Sequence, residues 1–184
     1  RAELQILLEG KDLSRWNEVI DTAFPAFPTY QLAGRLLLAN EEWAVNDLKA
    51  IVKESDVTGT LKFIPEANPV RIEGHLSSTR LDMAQLQEYV PQQPNPEPWT
   101  VKIGNILNSI GQAAWQTSLT YRADLIETGI VPVHNADIAL RLEDQRLIIK
   151  PLSAEMAGIQ LNIETQISVE ENLAKGQVHL RAEN

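Results

Sequence analysis

General acid–base and metal chemistry would fall first to His75, His134 and His179, the only histidines of the chain. Each sits beside a strand-like or turn-like stretch, far in sequence from the other two. They lack the close spacing of a metal-ligating set and have no evident nucleophile to activate. They read as solvent-facing strand residues. The acidic pairs Glu41–Glu42 and Glu170–Glu171 read as turns on a solvated face. The glycines are isolated, so no loop is built to cradle a phosphate, and Asn105 and Ser109 belong to no motif. Of the tryptophans, Trp16 and Trp115 fall in register with apolar stripes and read as packing residues rather than sugar platforms. Trp43 and Trp99 are open to either use. No convergent polar constellation emerges, so the expectation is a protein that is not an enzyme and needs no cofactor or metal.

The composition narrows the remaining classes. A chain of 184 residues that is 43% hydrophobic and 22% charged can fold and bury a core. The net charge of −9 disfavours a nucleic-acid partner, which needs clustered Lys and Arg. Residues 1–90 carry 9 basic and 14 acidic side chains and residues 91–184 carry 7 and 11, so there is no charged tail. With no cysteine there is neither a disulfide nor a thiolate site, and the compartment is left open. No apolar run is long enough to span a bilayer. The chain starts at Arg1, already in strand-like sequence, and reads as a piece of something longer.

Period-two alternation then organises most of the chain. Residues 2–9 place Leu4, Ile6 and Leu8 on one face, and residues 30–39 do the same with Leu32, Gly34, Leu36 and Leu38. Between them Asp12 is placed to cap a helix carrying Leu13, Trp16, Val19 and Ile20, ahead of Pro25 and Pro28. Residues 43–90 read as three strands leading into a second short helix. There Asp82 and Gln85 have capping-box spacing and Met83, Leu86, Tyr89 and Val90 form the stripe. Gly59 and Gly74 read as points where the sheet bends. The two helical segments align at an offset of 70 residues, an internal repeat. Residues 91–98 hold four prolines and read as a linker, and residues 99–111 fit a strand or a short helix equally.

From residue 114 the alternation becomes regular. Residues 115–127 place Trp115, Thr117, Leu119, Tyr121, Ala123 and Leu125 on one face. Ile138, Leu140 and Leu142 follow, then Leu147 and Ile149, then Ile159, Leu161 and Ile163, with Val178 and Leu180 last. Five strands joined by short turns make an antiparallel meander, dry on one face and wet on the other. The expected organisation is a β-rich repeat unit with two short capped helices over 1–90, a proline-rich connection over 91–113, and a meander over 114–184 continuous with the first sheet.

The order of these motifs resembles the AsmA family of bacterial envelope proteins. It is carried by GKDLSRW, FPAFP and LAGRL, by NDLKAIVKESDVTGTLKF and NPVRIEGHLSSTRLDMAQL, and by the distal run from RADLIETG to LNIETQI. The likeness covers nearly the whole chain and is weakest over residues 91–111. At the step Ala157–Gly158 the family often has two glycines, and this chain departs with Gly158 followed by Ile159. The resemblance implies a periplasmic fragment of a protein anchored in the inner membrane by a helix outside these residues. It also implies a long curved β-sheet forming a hydrophobic groove and a role in moving phospholipid between membranes during outer-membrane biogenesis.

The residue pattern is compatible with that picture. A curved antiparallel sheet with one dry face, partly covered by two short helices, would leave a trough for acyl chains. The lipid-facing candidates are Leu119, Tyr121, Leu125, Ile138, Leu140, Leu142, Leu147, Ile149, Ile159, Leu161 and Ile163. Ordinary core packing is the competing account of each. A scaffold or protein-interaction module of the envelope, recruiting another envelope protein through exposed edge strands, is the alternative function.

Overall fold

The computed structural model of the chain describes residues 1–16, 29–39, 41–87, 115–144, 146–170 and 173–183. These residues form one ten-stranded sheet whose spatial order follows the sequence. The strands are β1 (Ala2–Gly10), β2 (Tyr30–Ala39), β3 (Glu42–Val52), β4 (Ser55–Ile64) and β5 (Val70–Asp82). They continue with β6 (Trp115–Glu127), β7 (Val133–Glu143), β8 (Arg146–Met156), β9 (Ile159–Glu170) and β10 (Leu173–Glu183). The sheet is not closed, so β1 and β10 are its edges.

Short turns produce most of the antiparallel pairings. Lys53, Asp144, Ala157 and Gly158 all carry positive φ at such turns. In the β8–β9 hairpin Ala157 and Gly158 form a two-residue turn of the kind whose twist suits antiparallel strands. The expectation of an antiparallel meander throughout is corrected at one step. β5 and β6 run parallel, in register from Val70 opposite Trp115 to Asp82 opposite Glu127. A parallel neighbour requires the chain to return along the strand, which takes about a dozen residues or more. Residues 83–114 supply that length. The expected 70-residue repeat therefore ends differently in its two copies: residues 11–29 join an antiparallel pair, residues 83–114 a parallel one.

The expected helices are shorter than their stripes. A 3₁₀ turn covers Leu13–Trp16, and residues 17–20 lie outside the described residues. Its cap is as the sequence predicts: Asp12 Oδ1 accepts from Ser14 N at 3.0 Å and from Ser14 Oγ at 2.6 Å. The hydrogen bond from the Ser14 side chain holds the Asp12 carboxyl below its usual pKa. One α-helix, α1 (Met83–Gln87), follows β5. Asp82 Oδ1 caps it by accepting from Gln85 N at 2.9 Å. The reciprocal arm of a capping box is not made, because Asp82 N already donates to Ser55 Oγ at 2.9 Å. Tyr89, Val90, Pro91–Pro98, Trp99–Gly111 and the side chains of Trp16 and Trp115 lie outside the described residues.

Three strands share an irregularity that matters for the faces. Ser78 pairs with Ala123 and Arg80 with Leu125, which leaves Thr79 and Asp124 without partners in register. In β7 the neighbouring Asn135 has a φ of 52° and falls in a register shift against β8. An extra residue in a strand reverses the side from which the following side chains project. The line is held from β4: the Asp56 carboxylate accepts from Thr79 N at 3.0 Å and from Arg80 N at 2.8 Å. Further slips occur in β3 around Asp47 and in β8 around Lys150 and Pro151.

Candidate functional site: the apolar face of the sheet

Residues paired across neighbouring strands project from the same side, so the register sorts every side chain onto one of two faces. One row of cross-strand partners passes through all ten strands: Leu4, Leu36, Val45, Leu61, Gly74, Leu119, Leu140, Ile149, Thr165 and Val178. The adjoining row runs Ala2, Leu38, Trp43, Phe63, Ile72, Thr117, Leu142, Leu147, Ile167 and Gly176. These twenty positions carry no charge. Trp43 meets Phe63 edge-on, with ring centroids 5.7 Å apart. A Cβ at Gly74 would lie 2.7 Å from side-chain carbons of both Leu61 and Leu119, so the missing side chain lets leucines from β4 and β6 close over β5.

The sequence-derived candidates can now be placed. Leu119, Leu140 and Ile149 lie in the first row and Leu142 and Leu147 in the second. Tyr121, Ile138 and Ile163 form a third row with Leu76 and Leu152. Leu161 lies opposite Ala154, and Ile159 opposite Met156. Leu125 is the correction. It pairs with Arg80 and His134, beyond the irregularity at Thr79, Asp124 and Asn135, and projects from the polar face. Ile126 takes its place, in a row with Leu81, Val133, Met156 and Ile159. Side-chain packing agrees: Ile126, Val133 and Tyr121 rest against the buried trio Ala123, Ala136 and Ala154.

The lipid-facing candidates drawn from the sequence leave out the half of this face that β1–β5 supply, although the single-face alternation of Leu4 and Leu36 in their strands was legible there. They also leave out Leu152 and Met156, for which Pro151 was the clue, since a proline inside a strand marks an edge or a bulge. Most of the face is half-buried, with side chains shielding one another. Among the described residues Leu142 and Ile167 are the large aliphatic side chains below a tenth exposed.

The opposite face is polar and cross-linked. Arg35 pairs with Asp47 and lies 3.7 Å from Glu3, Lys62 reaches Glu42 at 2.8 Å, and Lys150 reaches Glu164 at 2.8 Å. Arg80 Nη2 lies among Glu54 at 3.2 Å, Asp82 at 3.7 Å and Glu127 at 3.9 Å. Pairs this exposed contribute at most about 1 kcal/mol each, so they mark the solvated side more than they hold the fold. All three histidines project here: His75 opposite Thr60 and Thr120, His134 opposite Glu155, His179 opposite Glu164. The His75 Nδ1 and Thr120 Oγ1 atoms are 2.7 Å apart. Among the described residues no three His, Asp or Glu side chains are placed to share a metal ion.

Tyr121 is a titratable group of the apolar face. Tyr121 donates its hydroxyl to Ser78 Oγ at 2.8 Å. Burial pushes the phenol above its usual pKa, the charge of Asp56 adds to the rise, and the Ser78 hydrogen bond offsets part of it. An acid whose folded pKa is raised contributes stability below its unfolded pKa, and that stability is lost as pH rises through the folded value. The expected result is a melting temperature that declines above about pH 10, more steeply in the wild type than in Tyr121→Phe. Thermal melts of the two proteins across an alkaline series test this, and parallel curves would show that Tyr121 ionises as freely folded as unfolded.

No family model, no curated protein and no solved structure matches the chain. Among the described residues no helix is long and apolar enough to cross a membrane.

Proposed function

We propose that the apolar face carries the acyl chains of phospholipid, and that the chain is a lipid-binding or lipid-conducting segment of an AsmA-like envelope protein. In this reading the sheet curls into a hydrophobic groove. The segment stands in the periplasm, and its parent protein is held in the inner membrane by an anchor outside these residues. The observation that carries the reading is the pair of uncharged rows running unbroken across ten strands of an open sheet. Ten strands spaced about 4.8 Å apart extend roughly 43 Å, whereas one acyl chain spans half a bilayer core, about 15 Å. The face can therefore take several chains side by side. Sheltering about ten methylenes of one chain is worth about 8 kcal/mol, so binding needs no specific polar contact. The activity requires shape and apolarity, and no catalytic residue.

The test is native mass spectrometry of the purified chain before and after delipidation, with phospholipid added back. Bound lipid is expected, and it should return on addition. Trp43→Asp and Ile159→Asp put a carboxylate on partly exposed positions of the apolar face and should weaken binding about tenfold or more. Thr60→Asp makes the same change on the polar face and should bind as the wild type does. Failure of lipid to bind at all, or equal losses from both faces, would remove the groove reading.

A further inference from the structure

The parallel step between β5 and β6 fixes the side on which the chain returns. The chain leaves β5 at Asp82 and must come back along about 40 Å of strand to enter β6 at Trp115. After α1, which ends at Gln87, residues 88–114 make that return over one face of the sheet or the other. Crossovers between parallel strands of one sheet are right-handed in about 98% of cases, because a right-twisted strand leads the chain back onto the sheet in that sense.

The register decides which face that is. Around each L-residue the order of N, side chain and C is fixed. In a strand running upward, a residue whose side chain points at the viewer therefore has its N–H and C=O on the right. Met156 and Ile159 lie on the apolar face and flank the two-residue turn at Ala157–Gly158, so the main-chain groups of Met156 point to β9. Seen from the apolar face with β8 upward, β9 is on the right, and strand numbers rise from left to right. β5 and β6 run with β8, because β7 opposes both β6 and β8. β6 thus stands to the right of β5. Val52 and Ser55, which flank the turn at Lys53 and Glu54, give the same hand on the other side of the parallel step. A chain that rises along β5 and enters an upward strand on its right is right-handed only if it passes in front, over the apolar face.

Composition agrees. Residues 98–114 carry one charged side chain, Lys102, among Trp99, Val101, Ile103, Ile106, Leu107 and Ile110. On the apolar side of β5 and β6 stand Ile72, Leu76, Leu119 and Tyr121, and on the polar side Arg71, Glu73, His75 and Arg122. Apolar residues of the connection gain by burial against the first set, whereas packing on the second would take charges out of water.

We infer that the apolar face over β5 and β6 is a docking surface for residues 88–114 of this same chain, which lie outside the described residues. The contact is within one molecule, and it leaves the apolar positions of β1–β4 and β7–β10 on either side for another ligand. This inference stands apart from the lipid reading, because it rests on handedness and register.

The chain has no cysteine, so introduced pairs report the placement. Val101→Cys marks the connection near its midpoint. Its partner is Leu119→Cys on the apolar face or Thr120→Cys, the next residue, on the polar face. Leu76→Cys and His75→Cys make the same comparison on β5. A short bismaleimide is added to the delipidated full chain, dilute enough that links form within one molecule, and the linked fraction is followed by peptide mass spectrometry. The apolar-face partner is expected to link about tenfold faster, or more, than its polar-face neighbour, since packing raises the effective concentration of the two thiols. Circular dichroism shows whether each variant keeps its strand content, and either comparison decides if the other pair loses it. Equal rates on the two faces, faster linking on the polar face, or no linking to either face overturns the inference. Because lipid is absent throughout, the result does not depend on whether the face binds it.

Discussion

Gly59→Ala is expected to lower the unfolding free energy by about 3 kcal/mol or more, a loss in the range of strained backbone combined with a steric clash. Gly59 has a φ of 143°, a conformation that L side chains rarely adopt. A Cβ there would fall on the carbonyl oxygen of His75 and 2.9 Å from the Cα of Leu76, in the middle of the β4–β5 pairing. These are main-chain atoms of an inner strand, so no side-chain rotation can make room. Relief requires β4 to move off β5, which would disturb Leu61 and Phe63, both members of the rows on the apolar face. Urea denaturation of wild type and variant measures the loss. A difference under about 0.5 kcal/mol, the size expected for an indifferent surface position, would mean that the two strands can part there at little cost.

Asp56→Ala should cost about 2 kcal/mol, and its effect reaches further than its size. The carboxylate takes the main-chain donors of Thr79 and Arg80, where β5 has the residue that lacks a partner in β6. A lost partner for a protein-bound amide costs about 1–3 kcal/mol, and the exposure of Thr79 places this case below the sum of two. Asp56→Asn keeps one acceptor oxygen and should lose about half as much. Amide hydrogen exchange at Thr79 and Arg80 provides the local readout, with both protons expected to exchange faster in Asp56→Ala. Unchanged exchange at these two amides would show that the sheet holds the irregularity without β4. The consequence for the site is the choice of face. With the irregularity in place, Leu81, Ile126 and Val133 join the apolar side and Arg80, Leu125 and His134 the polar one. Without it, a charged guanidinium would enter the apolar rows.

The same position shows where sequence reasoning reaches its limit. Alternation by itself determined that the chain is mainly β, where most strands lie, and that one face is dry and the other wet. The strands Tyr30–Ala39 and Trp115–Glu127 have the bounds that the pattern of their residues predicts. These properties are local, because a period of two is written in consecutive side chains and needs no knowledge of a partner. The caps at Asp12 and Asp82 were legible for the same reason, since each acts within three residues. What only the tertiary structure decided is which way neighbouring strands run and where their registers slip. The parallel step between β5 and β6 depends on how residues 83–114 return the chain, and strand residues are alike whether their neighbour is parallel or antiparallel. Leu125 and Ile126 exchange faces because of irregularities in three strands, one of them held by a carboxylate from a fourth, 23 residues away in sequence from the amide of Thr79. The histidines that first suggested chemistry were placed by alternation on the solvated side. The continuous apolar face, which carries the proposed function, exists only once ten strands have been put in register.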